Sequence, residues 1–290
     1  MADDPRDHTR RWVVAPGDAP DLDHRPTRST DGAPGDKEAT IAASAELVER
    51  LAHLQMRLWA ESKHAVLLVL QALDTGGKDG TIRHVLSGVN PQGITVAGFK
   101  VPTELELAHD FLWRIHQQAP ARGHIGVFNR SHYEDVLVVR VEELVPESVW
   151  RPRYERIRAF EQGLAADGTT IVKCYLHISP EEQKERFRAR LDEPHKRWKF
   201  SRGDLEVRAK WDDYRAAYEE AIAQTSTDAS PWWDVNADDK KRARLNCISH
   251  LLEQVPYEDV TSAPIELPDR PDDDYRRPSI DLNRYVPERF

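Results

Sequence analysis

Residues 65–70 are all apolar, Ala72 and Leu73 follow, and the stretch runs directly into Asp74-Thr75-Gly76-Gly77-Lys78-Asp79-Gly80-Thr81. An apolar run of strand length without polar alternation suits a strand buried on both faces, the condition of a parallel sheet covered by helices on each side. Its glycine-rich end then has to turn sharply, and a helix is expected to begin near Thr81. The other elements repeat this order. Strands are predicted over 93–99, 125–128, 171–178 and 232–235. Helices are predicted over 42–61, from the capping box Thr103-Glu104-Leu105-Glu106 to about Gln118, and after the cap Ser179-Pro180-Glu181-Glu182. The expected fold class is α/β, a three-layer sandwich with a parallel central sheet and a helical lid.

With 290 residues, 39% of them apolar, the chain can bury a substantial core. Residues 1–40 are rich in Asp, Pro, Gly and Arg and are expected to be extended or disordered unless they dock. Residues 41–258 form the catalytic domain, with a lid at about 184–215, and 259–290 a Pro/Asp-rich arm. No apolar run is long enough for a bilayer, and the first residues lack the pattern of a secretory signal, so a cytoplasmic protein that avoids membranes is expected. Cys174 and Cys247 read as buried reduced thiols. A net charge of −9 argues against nucleic acid as a partner. Yet residues 184–210 carry ten Lys/Arg against five Asp/Glu, a basic segment that suits an anionic ligand.

A strand, a tight turn, a Gly-Lys pair and a helix start together resemble a phosphate-binding loop, in which backbone N–H groups cradle phosphate and the lysine neutralises it. The letters depart from the usual pattern: Ala72 stands where the first glycine belongs, and Asp79 replaces the hydroxyl residue, with Thr81 two positions on. A carboxylate in such a loop repels its ligand unless a cation lies between them, so Asp74 and Asp79 imply Mg²⁺ (or Mn²⁺). Asp74 is read either as a metal ligand or as the group orienting the acceptor phosphate. Asp79 has the competing role of a helix cap, and the whole stretch that of an ordinary Asp/Gly turn. At the end of the third strand, in Asn129-Arg130-Ser131-His132-Tyr133-Glu134-Asp135, Arg130 is a candidate phosphate fork and Glu134 a candidate metal ligand, unless the two simply pair. Lys196, Arg197 and Lys199, with Arg186 and Arg190 before them, lie where a lid would bring cations onto the transferring phosphoryl group. Trp198 and Phe200 are expected to pack against the body rather than stack on a base.

Taken together, Leu73-Asp74-x-x-Gly77-Lys78-Asp79-Gly80-Thr81-Ile82-Arg83, Gly88-Val89-Asn90-Pro91-Gln92-Gly93, Phe99-Lys100-Val101-Pro102-Thr103, the Asn129–Val136 motif and Lys196-Arg197-Trp198-Lys199 resemble the polyphosphate kinase 2 family over roughly residues 42–255. Asn129 in place of Asp resembles the group often called class III, associated with phosphorylating both AMP and ADP. The resemblance implies phosphoryl transfer between inorganic polyphosphate and AMP, ADP or ATP, guanine nucleotides included as candidates, with a basic tunnel and a homo-oligomer (dimer or tetramer). It implies Asp74, Lys78 and Arg130 as catalytic. Gly76, Gly77, Gly80, Thr81, Arg83, Arg186, Arg190, Lys196, Arg197 and Lys199 are the implied phosphate-binding residues, and Asp74, Glu134 and, less directly, Asp79 are the implied metal site. The competing enzyme reading is an ATP-dependent nucleoside monophosphate kinase; the reading from another class is a silent polyanion-binding protein.

Overall fold

The computed structural model describes residues 12–255. Six strands form one sheet: β1 Val13–Val14, β2 Ala65–Gln71, β3 Ile94–Gly98, β4 Ile125–Asn129, β5 Thr169–His177 and β6 Trp232–Asn236. Their order across the sheet is β1-β6-β5-β2-β4-β3, with β1 antiparallel to β6 and every other pair parallel. The helices of seven residues or more are α1 Lys37–Glu61, α2 Lys78–Val85, α3 Arg153–Ala166, α4 Pro180–Asp192, α5 Gly203–Ala209, α6 Trp211–Thr225 and α7 Lys240–Gln254.

All seven residues of β2 are buried, because its two faces serve two cores. Leu67 and Val69 point to the side covered by α3 and α6, where Ile157, Phe160, Tyr218 and Ile222 pack. Val66, Leu68 and Leu70 point to the side covered by α1 and α7, among Leu51, Leu54, Leu58, Ile248 and Leu251. Period-two alternation within an all-apolar strand thus builds the three layers. Cys174 and Cys247 are free thiols buried in the second core.

Two local expectations change, and the N-terminal segment takes the docking alternative. Helix α1 begins at Lys37, inside the segment expected to be irregular, because the Asp36 side chain accepts from the Ala39 N–H at 2.9 Å and caps it. Further upstream, β1 pairs with β6, Leu22 N donates to Glu219 at 2.9 Å, and Thr27 Oγ1 donates to Asp238 at 2.7 Å. The segment from residue 12 therefore docks along the sheet edge. The helix expected over 103–118 is broken into Glu104–Leu107 and Trp113–His116. The capping box at Thr103 does form, but Asp110 then closes a local turn, its carboxylate accepting from Leu112 N at 3.0 Å, and side-chain competition of this kind ends a helix. The arm at 259–290 lies outside the described residues. Among those described, no helix is long and apolar enough to cross a membrane.

Candidate active site

Strands β2 and β4 are parallel neighbours, with Leu70 opposite Asn129, so the loop after β2 and the turn after β4 leave the sheet side by side. Arg130 N donates to Leu70 O at 3.2 Å and fastens the two ends together. The loop itself is sterically specified. A Cβ on Gly76 would lie 2.4 Å from Ala72 Cβ and 2.9 Å from Leu73 O, and Gly77 has φ +106° at the N-cap of α2. Thr75 and Arg130 also adopt left-handed backbone, φ +65° and +64°, a conformation that costs free energy in non-glycine residues and tends to occur at functional sites.

These ends open into a cavity of about 400 Å³. Its walls come from the loop (Asp74 to Gly80), from Gly98, Phe99 and Lys100 after β3, from Asn129 and Arg130, from α4 and the 3₁₀ turn Pro194–Lys199, and from Lys240 at the start of α7. Eight of the 18 lining residues are Lys or Arg and two are Asp, in a chain whose overall charge is −9. That concentration of positive charge suits a strongly anionic ligand.

Lys78 turns back across the loop and donates to Ala72 O at 2.8 Å. Burial of its ammonium, reinforced by Arg130, lowers its pKa to about 8. Arg130 donates to Asp74 Oδ1 at 2.8 Å and to Glu134 Oε2 at 3.2 Å, and Glu134 above all holds its pKa above the ordinary value. The expected Arg130–Glu134 pairing is present, but as half of a fork whose other arm holds Asp74. Asp79 is not the helix cap. Gly77 occupies that position, while the Asp79 carboxylate accepts from Asn129 Nδ2 at 2.8 Å and lies 3.8 Å from Lys199 Nζ.

The structure gathers Asp74, Gly76, Gly77, Lys78, Asp79, Gly80, Arg130, Arg186, Arg190, Lys196 and Lys199 on the cavity wall. Four other sequence candidates lie off it. Because α2 starts at Lys78, Thr81 falls one turn in and is buried. Arg83 lies on the exposed side of α2, and Glu134 sits behind Arg130. Arg197 donates to Leu191 O at 2.8 Å and is exposed. Most lid cations are already paired: Arg190 with Asp204 at 2.9 Å, Lys196 with Glu193 at 2.6 Å. Arg186 grips backbone instead, donating to Thr75 O at 2.9 Å and to Ala237 O, with its Nε on Glu182 at 2.7 Å. Gln183 joins it by donating to Asp74 O at 3.0 Å, so α4 clasps the loop from behind. Trp198, expected to pack on the body, is 79% exposed, whereas Phe200 does pack, edge-on to Phe187. Sequence reasoning missed Gln183, Gly98, Lys240 and the second arm of Arg130. For Lys240 the available signal was the basic run Lys240-Lys241-Arg242 just after a strand.

The family model "Polyphosphate kinase 2 (PPK2)" matches residues 35–263. The chain belongs to the polyphosphate kinase 2 family. It is 54% identical over 243 residues to an AMP/ADP-polyphosphate phosphotransferase of Meiothermus ruber, covering 84% of this chain and 91% of that protein. It is 49% identical over 273 residues to an ADP-polyphosphate phosphotransferase of Rhodopseudomonas palustris, covering 90% and 92%. The crystal structure of polyphosphate kinase 2 from Arthrobacter aurescens TC1 superposes with a TM-score of 0.83 at 45% identity, covering 88% of this chain and 90% of that one. The α/β fold with its mostly parallel sheet is therefore that of a family whose members are kinases.

Proposed function

We propose that this member of the family transfers the terminal phosphoryl group of inorganic polyphosphate to ADP, and also to AMP, reversibly, in the cytoplasm and as a homo-oligomer. The observation that carries the reading is the glycine loop walled by eight Lys and Arg side chains and only two carboxylates, with Lys78, Lys100 and Lys240 in no ion pair among the described residues. Such a wall suits two polyanions brought together at one loop. The nearby relatives named for AMP/ADP and ADP support the choice of acceptors.

An oxygen of the nucleotide's last phosphate attacks the terminal phosphorus of polyphosphate in line. The new P–O bond forms as the bond from that phosphorus to its bridging oxygen breaks, leaving the polymer one unit shorter and the bridging oxygen as its new terminal anion. The nucleophile is already an anion, so no general base is required, and rate comes from positioning and charge neutralisation. The Gly76 N–H is spent on Leu73 O, so the unpaired N–H groups at the start of α2, after Gly77, cradle the transferring group, Lys78 neutralises it, and Arg130, fixed by Asp74 and Glu134, offers its remaining face to it. Asp74 and Asp79 present hard oxygen donors to the same cavity, a set that fits Mg²⁺, which takes one or two carboxylates and completes its shell with phosphate oxygens and water. Mg²⁺, when bound there, would neutralise charge on the bridging phosphates. Glu134, turned to Arg130, would act on that arginine rather than on the metal.

The test is to supply ADP and polyphosphate with no ATP, and then AMP in place of ADP. ATP from ADP, and ADP followed by ATP from AMP, are expected. No product beyond slow disproportionation of ADP would leave an ATP-dependent monophosphate kinase as the better reading.

A further inference from the structure

Gln71 is the last residue of β2 and stands just before the phosphate loop, ahead of Asp74. Period two puts its side chain on the face of Leu67 and Val69, toward α6, and it is fully buried. An amide in such a place costs free energy unless its oxygen and its nitrogen both find partners. Both do. The amide oxygen accepts from Ser131 Oγ at 3.0 Å and from Ser131 N at 3.1 Å, and the amide nitrogen donates to Glu134 Oε1 at 3.0 Å. The reverse orientation would set amide oxygen against carboxylate at that distance, so the network allows only one. Ser131 Oγ then serves twice, donating to Gln71 and accepting from Tyr133 N at 3.2 Å. Tyr218 Oη of α6 lies 3.4 Å from the end of the amide that faces Glu134.

These contacts complete a chain that reaches the cavity. Gln71 occupies one oxygen of Glu134, and Arg130 Nη1 occupies the other at 3.2 Å. Arg130 gives its second terminal nitrogen to Asp74 at 2.8 Å. Its side chain is partly exposed, so the direction of its guanidinium depends on these two carboxylates. Asp74 belongs to the loop itself, which leaves Glu134 as the anchor outside the loop. The last torsion of a glutamate is broad, and a carboxylate bonded through one oxygen alone can turn about it. The amide of Gln71, fixed by Ser131, prevents that turn.

We propose that Gln71 is a positioning residue for phosphoryl transfer: its buried amide fixes the Glu134 carboxylate and, through it, the direction in which Arg130 faces the transferring group. Gln71 touches no reactant. The inference rests on the role given to Arg130 in the reading above and adds a residue on which that role depends.

The experiment measures kcat, KM for ADP, KM for polyphosphate and melting temperature in the wild type, Gln71→Leu, Gln71→Glu and the exchange Gln71→Glu/Glu134→Gln. Gln71→Leu strands Glu134 Oε1 and the Ser131 N–H, and Gln71→Glu sets two carboxylates side by side in a buried place. Each single variant should lower kcat about ten- to a hundred-fold, the scale of a displaced positioning group, while both KM values move by about threefold or less. The exchange restores an amide–carboxylate pair of the same net charge with the roles reversed, so its kcat should exceed that of Gln71→Glu by about fivefold or more. All rates are taken well below the lowest melting temperature. A kcat for Gln71→Leu within about twofold of the wild type, whether or not its melting temperature falls, would make Gln71 structural only and overturn the proposal. Losses carried by KM alone, or an exchange no more active than Gln71→Glu, would overturn it as well. If Gln71→Leu does not fold, the comparison of the exchange with Gln71→Glu decides. A wild type that makes no ATP from polyphosphate would overturn the parent reading instead, and the same variants would then be compared with the phosphoryl donor it does accept.

Discussion

Gly76→Ala puts the phosphate loop to a quantitative test. The added methyl would start 2.4 Å from Ala72 Cβ and 2.9 Å from Leu73 O. Carbon atoms settle at about 3.5–4.0 Å, so the loop must move by about 1 Å, and Leu73 O is backbone that cannot rotate away. Overpacking on this scale costs about 1–3 kcal/mol, or roughly 2–12 °C in melting temperature for a domain of this size. The catalytic penalty should be disproportionately larger: a displacement of about 1 Å in a positioning element can cost about a hundred-fold in rate. Gly163→Ala is the internal control. It lies within α3 with nothing within 4 Å of its built Cβ, so it should stabilise by about 0.5–1 kcal/mol and leave kcat unchanged. Thermal denaturation beside initial rates of ATP formation reads both quantities. If Gly76→Ala lost stability as expected but kept kcat within about twofold, the loop would be a structural turn, and its identification as the phosphate cradle would be wrong.

Three further outcomes follow from other parts of the molecule. Arg130→Lys should fail to rescue Arg130→Ala in steady-state assays, both losing about a hundred-fold or more in kcat, because one ammonium cannot hold Asp74 and Glu134 while also facing phosphate. Equal activity of Arg130→Lys and the wild type would refute the fork. Glu161 is buried and accepts from Lys173 at 2.7 Å, Tyr133 at 2.7 Å and His132 at 3.1 Å, so Glu161→Ala should cost about 3–5 kcal/mol in urea denaturation by stranding the Lys173 charge. A loss below about 1 kcal/mol would show that Lys173 is uncharged there. His250 stacks on Trp233 with neither ring nitrogen bonded, and burial lowers its pKa to about 3. The unfolded chain then binds the proton that the folded chain refuses, so stability is lost as pH falls below about 6.5, by about 2 kcal/mol at pH 5. His250→Phe should flatten that part of the melting profile relative to the wild type, and parallel profiles would contradict the assignment.

Much of the fold was legible because its signals are local. An all-apolar strand, a glycine turn that only glycine can make and a Ser179 cap declare themselves within a few residues. The short edge strand β1 did not, since two valines among Pro and Asp become a strand only when Trp232 and Trp233 of β6 lie opposite. The broken helix at 104–116 starts on its capping box as expected, and the interruption comes where the Asp110 carboxylate takes the Leu112 N–H. In the site, Asp74, Lys78 and Arg130 could be named because each stands at the end of a recognisable strand. Arg186 illustrates the opposite case. Its charge suggested a phosphate ligand, but its neighbours Thr75 and Ala237 lie 111 and 51 residues away in the chain, and only the folded geometry shows that it holds backbone. Lys240 was missed for a similar reason: a basic run after a strand is unremarkable until the fold sets it beside the loop after β2.

The central claim, that this cavity moves a phosphoryl group from polyphosphate to a nucleotide without ATP as donor, is tested most directly by isotope transfer. Polyphosphate carrying ³²P should be incubated with ADP, Mg²⁺ and the enzyme in the absence of ATP, and the products separated. The account predicts label in the γ-phosphate of newly formed ATP, abolished in Lys78→Ala. ATP without label, or label transfer that survives Lys78→Ala, would contradict it.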